Sequence, residues 1–267
     1  MTLQRVETRS GRDLLVRWGE RGAAVLDDWD DGRVLDSLPL EGGDVLDPAD
    51  CIPRPFVRSG AKIICVGLNY RPHIDEMGRE APEFPTLFAK FSDSFVGPND
   101  DIVRPDDVDQ LDWEGEIALV VGCPLRHASA DSALQGALGA VALNDVTSRG
   151  HQYRTTQWLQ GKALDSLSPM GSIVTPLDPA LTISTRVDGE TVQHGRLDEL
   201  VFGPADLLAY VSGLIRLRPG DIIATGTPGG VGHGMQPPRH LQPGQLLETE
   251  LSHADGATIE TLRNRIR

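Results

Sequence analysis

The sequence has little of what marks secreted, membrane or nucleic-acid-binding proteins. Only three of its 267 residues are cysteine, so we expect neither a disulfide framework nor a zinc site. No apolar run could span a bilayer, and the N-terminal stretch MTLQRVETRSGRDLLVRWGE lacks a signal-peptide core. Basic residues number 25 against 39 acidic ones, and the net charge of -14 argues against nucleic acid and anionic membranes as partners. We therefore expect a cytoplasmic protein.

Aromatic residues are also scarce, at 5% of the chain, so the sequence shows no obvious stacking pocket. The acidic balance still permits a small anionic substrate, provided that the site supplies local positive charge. The TGTPGGVG loop at 225–232 is neither a Walker loop nor a Rossmann fingerprint. Its backbone N–H groups and threonine hydroxyl could form a carboxylate cradle, although a plain tight turn explains the pattern as well.

Two regions are distinguishable along the chain. Residues 1–60 read as a small N-terminal β-rich domain, with alternating segments between Gly- and Asp-rich turns. The proline-rich stretch 47–55 suits a connector and marks the boundary. Residues 61–267 form the second region, which contains every candidate for chemistry.

The central candidate is the segment 112–122, DWEGEIALVVG, whose apolar part predicts a buried strand. Alternation along a strand predicts that Asp112, Glu114 and Glu116 point to one face. Residues two apart on a strand lie about 7 Å apart, a gap that two glutamate arms can close around one cation. An exposed acidic strand end is the alternative and, for an isolated E-x-E pattern, the more common one.

Three further groups are candidates. Pro72 favours a helix start, which places His73 and Glu76 on one helical face as a base and its orienting carboxylate. A surface ion pair is the alternative. Asp145 leaves the end of a predicted buried strand and is either an oxygen ligand or a turn residue. Lys162 either offsets an anionic substrate or is merely solvated.

Together and in this order, the motifs resemble the fumarylacetoacetate hydrolase family, in its acylpyruvase and 2-hydroxyhepta-2,4-diene-1,7-dioate isomerase-like branch. The resemblance implies a mostly β fold with a few helices, a rolled β-sheet (β-roll or barrel) core, and a homodimer. The matching pieces are GLNYRPHIDE at 67–76, LFAKF at 87–91, DWEGEIALVVG at 112–122, NDVTSR at 144–149, QWLQGK at 157–162, PGDIIATGTPGGVG at 219–232 and TLRNRI at 261–266.

The resemblance also implies roles for individual residues. It assigns catalysis to His73, Glu76 and Lys162; substrate binding to Lys90, Arg149, Gln152 and Thr227; and one Mg²⁺ or Mn²⁺ per subunit to Glu114, Glu116 and Asp145. Three carboxylates suit those hard cations better than zinc. The chain departs from the pattern at Gly150-His151, where many relatives have Asp-Leu, and this puts nearby substrate contacts in question.

The predicted function is that of a metal-dependent hydrolase in aromatic catabolism. It would cleave a carbon–carbon bond in a 3-acylpyruvate-like or fumarylacetoacetate-like diketo acid, with the metal stabilising an enolate and His73 activating water. The alternative is a decarboxylase or isomerase of a 2-oxo or 2-hydroxydienoate dicarboxylic acid. A third hypothesis is a non-catalytic metabolite-binding protein.

Overall fold

A computed structural model describes residues 2–19, 22–29 and 43–267 of the chain. Met1 and residues 20–21 and 30–42 of the predicted N-terminal β region lie outside the described residues. The strands are β1 Leu3–Thr8, β2 Asp13–Gly19, β3 Gly22–Asp28, β4 Val45–Leu46, β5 Cys51–Pro53, β6 Ile63–Gly67, β7 Thr86–Lys90, β8 Phe95–Val96, β9 Leu111–Asp112, β10 Gly115–Val121, β11 Ala137–Asn144, β12 Thr147–Ser148, β13 Ser168–Pro169, β14 Ile173–Val174, β15 Thr182–Val187, β16 Glu190–Arg196, β17 Ile222–Ala224, β18 Leu246–Ser252 and β19 Thr258–Arg265. The helices are α1 Arg71–Glu76, α2 Ala130–Gln135, α3 Arg149–Gln152, α4 Leu159–Lys162 and α5 Pro204–Leu214.

The N-terminal strands form a sheet in the order β14-β1-β2-β3-β4, with β5 also paired to β1. β14 comes from the second half of the chain and pairs antiparallel with β1. Leu3 and Leu15 of this sheet share a hydrophobic core with Ala118 and Val120 of β10. Residues from both sides of residue 60 therefore pack in one core.

The central sheet has the order β11-β10-β17-β6-β7. All seven residues of β10 are buried, because both faces of this strand are covered. Ala118 and Val120 face the core shared with the N-terminal sheet. Leu119 and Val121 face the opposite core, which includes the apolar stripe of α5. The predicted buried strand is thereby confirmed.

A third sheet, β16-β15-β18-β19, packs against β10 and β11 through a separate apolar cluster. The turn between β15 and β16 is at Asp188 and Gly189, which both have positive φ (52° and 83°). This is the geometry that an Asp-Gly hairpin requires. Among the described residues the sheets do not close into a barrel, and the mostly β class is confirmed.

The helices are short and surround the sheets. The hydroxyl of Ser129 accepts the N–H of Ser132 and so caps α2. The longest described helix, α5, has 11 residues, and no described helix has the length and apolar character that crossing a membrane requires.

Strand directions bring the chemical groups to one edge of the central sheet. β10 runs antiparallel to both β11 and β17, and β17 runs parallel to β6. The start of β10 therefore lies beside the ends of β11, β17 and β6. The DWEGE, NDV, TGTP and GLNY segments all meet at that edge.

Candidate active site

Three buried carboxylates meet where β10 begins and β11 ends. One ligand oxygen each from Glu114, Glu116 and Asp145 lies within 4.8 Å of the others. The pairing of Gly115 with Asn144 sets this geometry, because it places Glu114 beside Asp145. The predicted metal-ligand set is thus assembled by sheet register.

Asp112 does not join this cluster. The strand predicted over residues 112–122 is interrupted between β9 and β10. β9 is not part of the central sheet and pairs with β12 instead. Asp112 Oδ2 accepts from Arg149 Nε at 2.8 Å, and Oδ1 accepts from the Gly232 N–H at 2.8 Å. The prediction that alternation brings Asp112 onto the face of Glu114 and Glu116 is therefore wrong.

Two lysines neutralise part of the cluster from within the protein. Lys162 Nζ donates to Asp145 Oδ2 at 2.8 Å and to Glu114 Oε2. Lys90 Nζ donates to Asp145 Oδ1 at 2.7 Å and to the carbonyl oxygen of Lys162. Lys90 is buried and does not line the cavity, so its predicted contact with substrate has no support from this placement. It positions Asp145 and Lys162.

The two glutamates differ in their ionisation. Burial opposes ionisation of Glu114, but Lys162 and Arg149 outweigh it and lower the pKa of Glu114 to about 2. Burial raises the pKa of Glu116 well above its ordinary value, and repulsion from Asp145 and Glu114 adds to the shift. Arg149 Nη2 lies 2.7 Å from Glu114 Oε1, whereas no described lysine or arginine pairs with Glu116.

The chemistry of this donor set fits a divalent cation. Glu116 is a buried carboxylate that accepts one backbone hydrogen bond, from the Gly226 N–H at 2.9 Å. It forms no ion pair with a lysine or arginine of the described residues. A nearby dication would offset its repulsion by Glu114 and Asp145. All-oxygen ligands favour Mg²⁺ or Mn²⁺. We conclude that the predicted residues can hold such an ion.

The glycine-rich loop after β17 holds carboxylates of the protein itself. Its N–H groups at Gly226, Gly230 and Gly232 donate to Glu116, Glu76 and Asp112, respectively. A side chain would not fit at Gly232, since a Cβ there would lie 2.0 Å from the carbonyl oxygen of Arg239. The carboxylate cradle exists, but these N–H groups already bind three carboxylates of the protein itself.

The predicted dyad lies at the wall of the same site. Pro72 occupies the first turn of α1, as expected, and His73 Nδ1 lies 3.2 Å from Glu76 Oε2. His73 is buried and lines the cavity. Because Nδ1 faces Glu76, Nε2 is the nitrogen left for a ligand.

The remaining predicted contacts are held by neighbours. Arg149 Nη1 donates to Gln152 Oε1 at 2.9 Å. Thr227 Oγ1 donates to the carbonyl oxygen of Gly115 at 3.0 Å and accepts from Gln193 Nε2 at 2.8 Å. These bonds fix the side chains before any ligand binds.

A cavity of about 320 Å³ joins these groups. Its volume suits a small metabolite. Three other predicted site residues do not line the cavity but contact residues that do, namely Glu76, Lys90 and Asp145. The predicted residues that line the cavity are His73, Glu114, Glu116, Arg149, Gln152, Lys162 and Thr227.

The sequence of residues 62–267 matches the family described as fumarylacetoacetate (FAA) hydrolase C-terminal. The chain belongs to the fumarylacetoacetate hydrolase family. It is therefore a member of an enzyme superfamily that includes hydrolases, isomerases and tautomerases. The resemblance drawn from the motifs is confirmed.

Individual relatives differ in their named reactions. The mitochondrial oxaloacetate tautomerase of Rattus norvegicus is 42% identical over 196 residues, which are 71% of this chain and 63% of that protein. The chain thus spans less than two thirds of that relative's length. The structure of a 5-carboxymethyl-2-hydroxymuconate delta-isomerase from Mycobacterium smegmatis has a TM-score of 0.82 and 29% identity, covering 100% of this chain and 99% of its own. Fumarylpyruvate hydrolase from Pseudomonas aeruginosa, in complex with Mn²⁺ and pyruvate, has a TM-score of 0.68 and 28% identity, covering 81% and 91%.

Sequence reasoning missed several residues of this family site. Asn144 Oδ1 accepts the Glu114 N–H, and Gln193 Oε1 accepts the Gly115 N–H. Asn144 could have been found from the sequence, because it directly precedes the candidate ligand Asp145. No pattern in the sequence pointed to Gln193. An aromatic pair, Phe88 and Trp158, also lines the cavity, contrary to the expectation from composition.

The two residues of the departure, Gly150 and His151, follow Arg149 and lie outside the cavity lining. His151 is buried, its Nδ1 lies 2.8 Å from Ser148 Oγ, and it is not part of the cavity lining. A Cβ at Gly150 would lie 2.3 Å from Asp109 Oδ1, so a larger residue there requires Asp109 to shift.

Proposed function

We propose that this protein is a divalent-metal-dependent enzyme that moves a proton at the carbon next to the carbonyl of a 2-oxo acid. The observation that carries the proposal is that His73, oriented by Glu76, faces the same cavity as the buried carboxylates and Lys162. A base and a cationic centre around one small cavity are the groups that enolisation requires.

The residues that would hold the metal are Glu114, Glu116 and Asp145. When bound, a divalent ion supplies a Lewis acid for the carboxylate and carbonyl oxygens of the substrate. Lys162 adds positive charge beside the developing enolate oxygen. Its ammonium donates two N–H groups to Glu114 and Asp145, which leaves the third for a ligand.

His73 is the group that would carry the proton. With Nδ1 held by Glu76, Nε2 would take a proton from the substrate carbon or return one to it. Removal at carbon and return at oxygen interconverts the keto and enol forms, and return at another carbon shifts a double bond. Both outcomes need only this one proton carrier.

Tautomerisation or isomerisation is the reaction that we place first. It requires no water held for attack. The similarity to a named oxaloacetate tautomerase and to a named delta-isomerase supports this order. The hydrolysis favoured by the sequence then becomes the second candidate.

Hydrolysis of a carbon–carbon bond uses the same groups with one addition. His73 would deprotonate a water aimed at the distal carbonyl, and the leaving fragment would be the enolate beside Lys162. The likeness to fumarylpyruvate hydrolase, whose structure contains Mn²⁺ and pyruvate, supports this candidate.

The test follows both reactions with the same protein. Enol-to-keto conversion of oxaloacetate is followed by ultraviolet absorbance, and pyruvate release from an acylpyruvate is followed separately, each with Mg²⁺ or Mn²⁺ and again with EDTA. Metal without protein and the variant His73→Asn serve as controls. We expect metal-dependent tautomerisation that His73→Asn abolishes.

The outcomes separate the candidates. Pyruvate release without tautomerisation would favour the hydrolase. Full activity in metal-free protein, or in His73→Asn, would contradict the proposed chemistry.

A further inference from the structure

Arg79 is a cation of the cavity that has no anionic partner. It lies just beyond α1, is exposed, and lines the cavity together with His73 and Met77. The other two cavity cations, Arg149 and Lys162, are each paired with carboxylates at 2.8 Å or less. Within the described part of the chain, Arg79 forms no ion pair and no side-chain hydrogen bond.

Of the two arginines that line the cavity, Arg149 is paired with carboxylates, whereas Arg79 has no such partner among the described residues. A guanidinium that faces a ligand cavity without a carboxylate partner can bind a carboxylate of the ligand through two parallel hydrogen bonds.

A short apolar wall begins at the buried cluster. Lys162 Nζ lies 5.1 Å from the centroid of the Phe88 ring, and that ring packs edge-to-face on Trp158 at 5.6 Å. Both rings line the cavity. Gly67 makes room for the indole, because a Cβ there would lie 2.5 Å from the Trp158 ring. The wall therefore adjoins Lys162.

We propose that Arg79 binds a second carboxylate, at the end of the substrate remote from the 2-oxo acid group, while the connecting carbon chain lies on Phe88 and Trp158. The substrate class is then a 2-oxo dicarboxylic acid rather than a monocarboxylic one. This inference rests on the proposed function, since the 2-oxo acid group must occupy the Lys162 end.

Two 2-oxo acids of matched length test it. 2-Oxoadipate and 2-oxohexanoate have the same chain length and the same 2-oxo acid group, and differ in the terminal carboxylate. Their dissociation constants are measured by calorimetry with the Mg²⁺-loaded protein. We compare wild type, Arg79→Gln and Arg79→Lys with Arg71→Gln, which removes an exposed arginine of α1 that is not in the cavity lining.

We expect wild type and Arg71→Gln to bind 2-oxoadipate at least roughly tenfold more tightly than 2-oxohexanoate, because a charge-assisted bond adds about that much affinity. Arg79→Gln should reduce the ratio to within about twofold by weakening only the dicarboxylate, and Arg79→Lys should keep part of it. Trp158→Ala should weaken both ligands alike.

Other results overturn the inference. Equal binding of the two ligands by wild type, or an unchanged ratio in Arg79→Gln, would show that Arg79 does not bind the distal carboxylate, while the proposed function would stand. Failure of wild type to bind either ligand would overturn the inference and the proposed function together.

Discussion

The backbone N–H of Asp145 donates to the carbonyl oxygen of Glu114 at 2.8 Å. The neighbouring Asn144 accepts the Glu114 N–H through Oδ1 at 2.9 Å and donates through Nδ2 to Thr249 Oγ1 at 2.8 Å. Two candidate metal ligands, one just before β10 and the other just after β11, are thus joined through their backbones. Their separation is set before any metal binds.

Asn144→Ala should weaken both the fold and the metal site. The substitution leaves the buried Glu114 N–H without its partner, which costs about 1–3 kcal/mol of unfolding free energy. We expect weaker Mn²⁺ binding by calorimetry as well as a lower urea midpoint. Asn264→Ala is the control, because Asn264 is buried and bonded to the carbonyl oxygens of Gly97 and Asp100 away from the site. Equal losses of metal affinity in the two variants would contradict the role of Asn144.

Glu114→Gln and Glu116→Gln should have opposite effects on the stability of metal-free protein. Glu114 is ionised beside Lys162 and Arg149, and removal of its charge breaks buried ion pairs at a cost of about 3 kcal/mol or more. Glu116 is a buried carboxyl with repelling neighbours, so an amide there should stabilise the fold. Urea unfolding in EDTA measures both, and both variants should lose Mn²⁺ binding. Destabilisation by Glu116→Gln would contradict the inference that Asp145 and Glu114 repel the Glu116 carboxylate.

The advantage of Glu116→Gln should grow with pH. The folded-state pKa of Glu116 is raised above its ordinary value of 4.5 by burial and by Asp145 and Glu114. Below that ordinary value the carboxyl is protonated in both states and carries no penalty. The penalty develops as pH rises from that value towards the folded-state pKa, because only the unfolded state then loses its proton, and it is complete above the folded-state pKa. Unfolding free energies of metal-free wild type and variant, measured from about pH 5 to about pH 8, should diverge. A difference in unfolding free energy that stays constant over this pH range would contradict the raised pKa of Glu116.

Glu76→Ala should slow catalysis with little change in KM. Glu76 accepts the Gly230 N–H and holds His73 Nδ1, so its loss frees the imidazole to rotate. We expect kcat for the proposed oxaloacetate tautomerisation to fall by about tenfold to a hundredfold, less than the full contribution of a general base. Asp75→Ala changes an exposed carboxylate of the same helix and should behave as wild type. A rise in KM at constant kcat would indicate a binding role instead.

Gly232→Ala should destabilise the protein by about 2 kcal/mol or more, because overpacking against a backbone atom has no flexible side chain to absorb it. The new Cβ would meet the carbonyl oxygen of Arg239 and displace the N–H that Asp112 accepts. Gly213→Ala, in open space within α5, should instead stabilise by up to about 1 kcal/mol. Thermal unfolding of both variants provides the comparison, and a neutral Gly232→Ala would show that the loop tolerates movement.

Elements whose cause is local were predictable from the sequence. The apolar run 117–121, the Asp188-Gly189 turn and the Ser129 cap each depend on a few adjacent residues, and each appears in the structure. The ordered motifs, taken as a resemblance, also identified Glu114, Glu116 and Asp145. Spacing alone had left an exposed acidic strand end as the commoner reading, since carboxylates near each other in sequence need not share a face.

Only the tertiary structure decided which groups face each other. A break after β9 separates Asp112 from the cluster, and Asp112 pairs with Arg149 instead. The packing of the β16-β15-β18-β19 sheet on the central sheet brings Gln193 to Gly115. Phe88 and Trp158 form their wall although aromatics are few, because β7 and α4 converge on the same edge. The sequence by itself determined the inventory of carboxylates, lysines and histidine. Their partners depend on contacts between residues far apart in the chain, which no local pattern encodes.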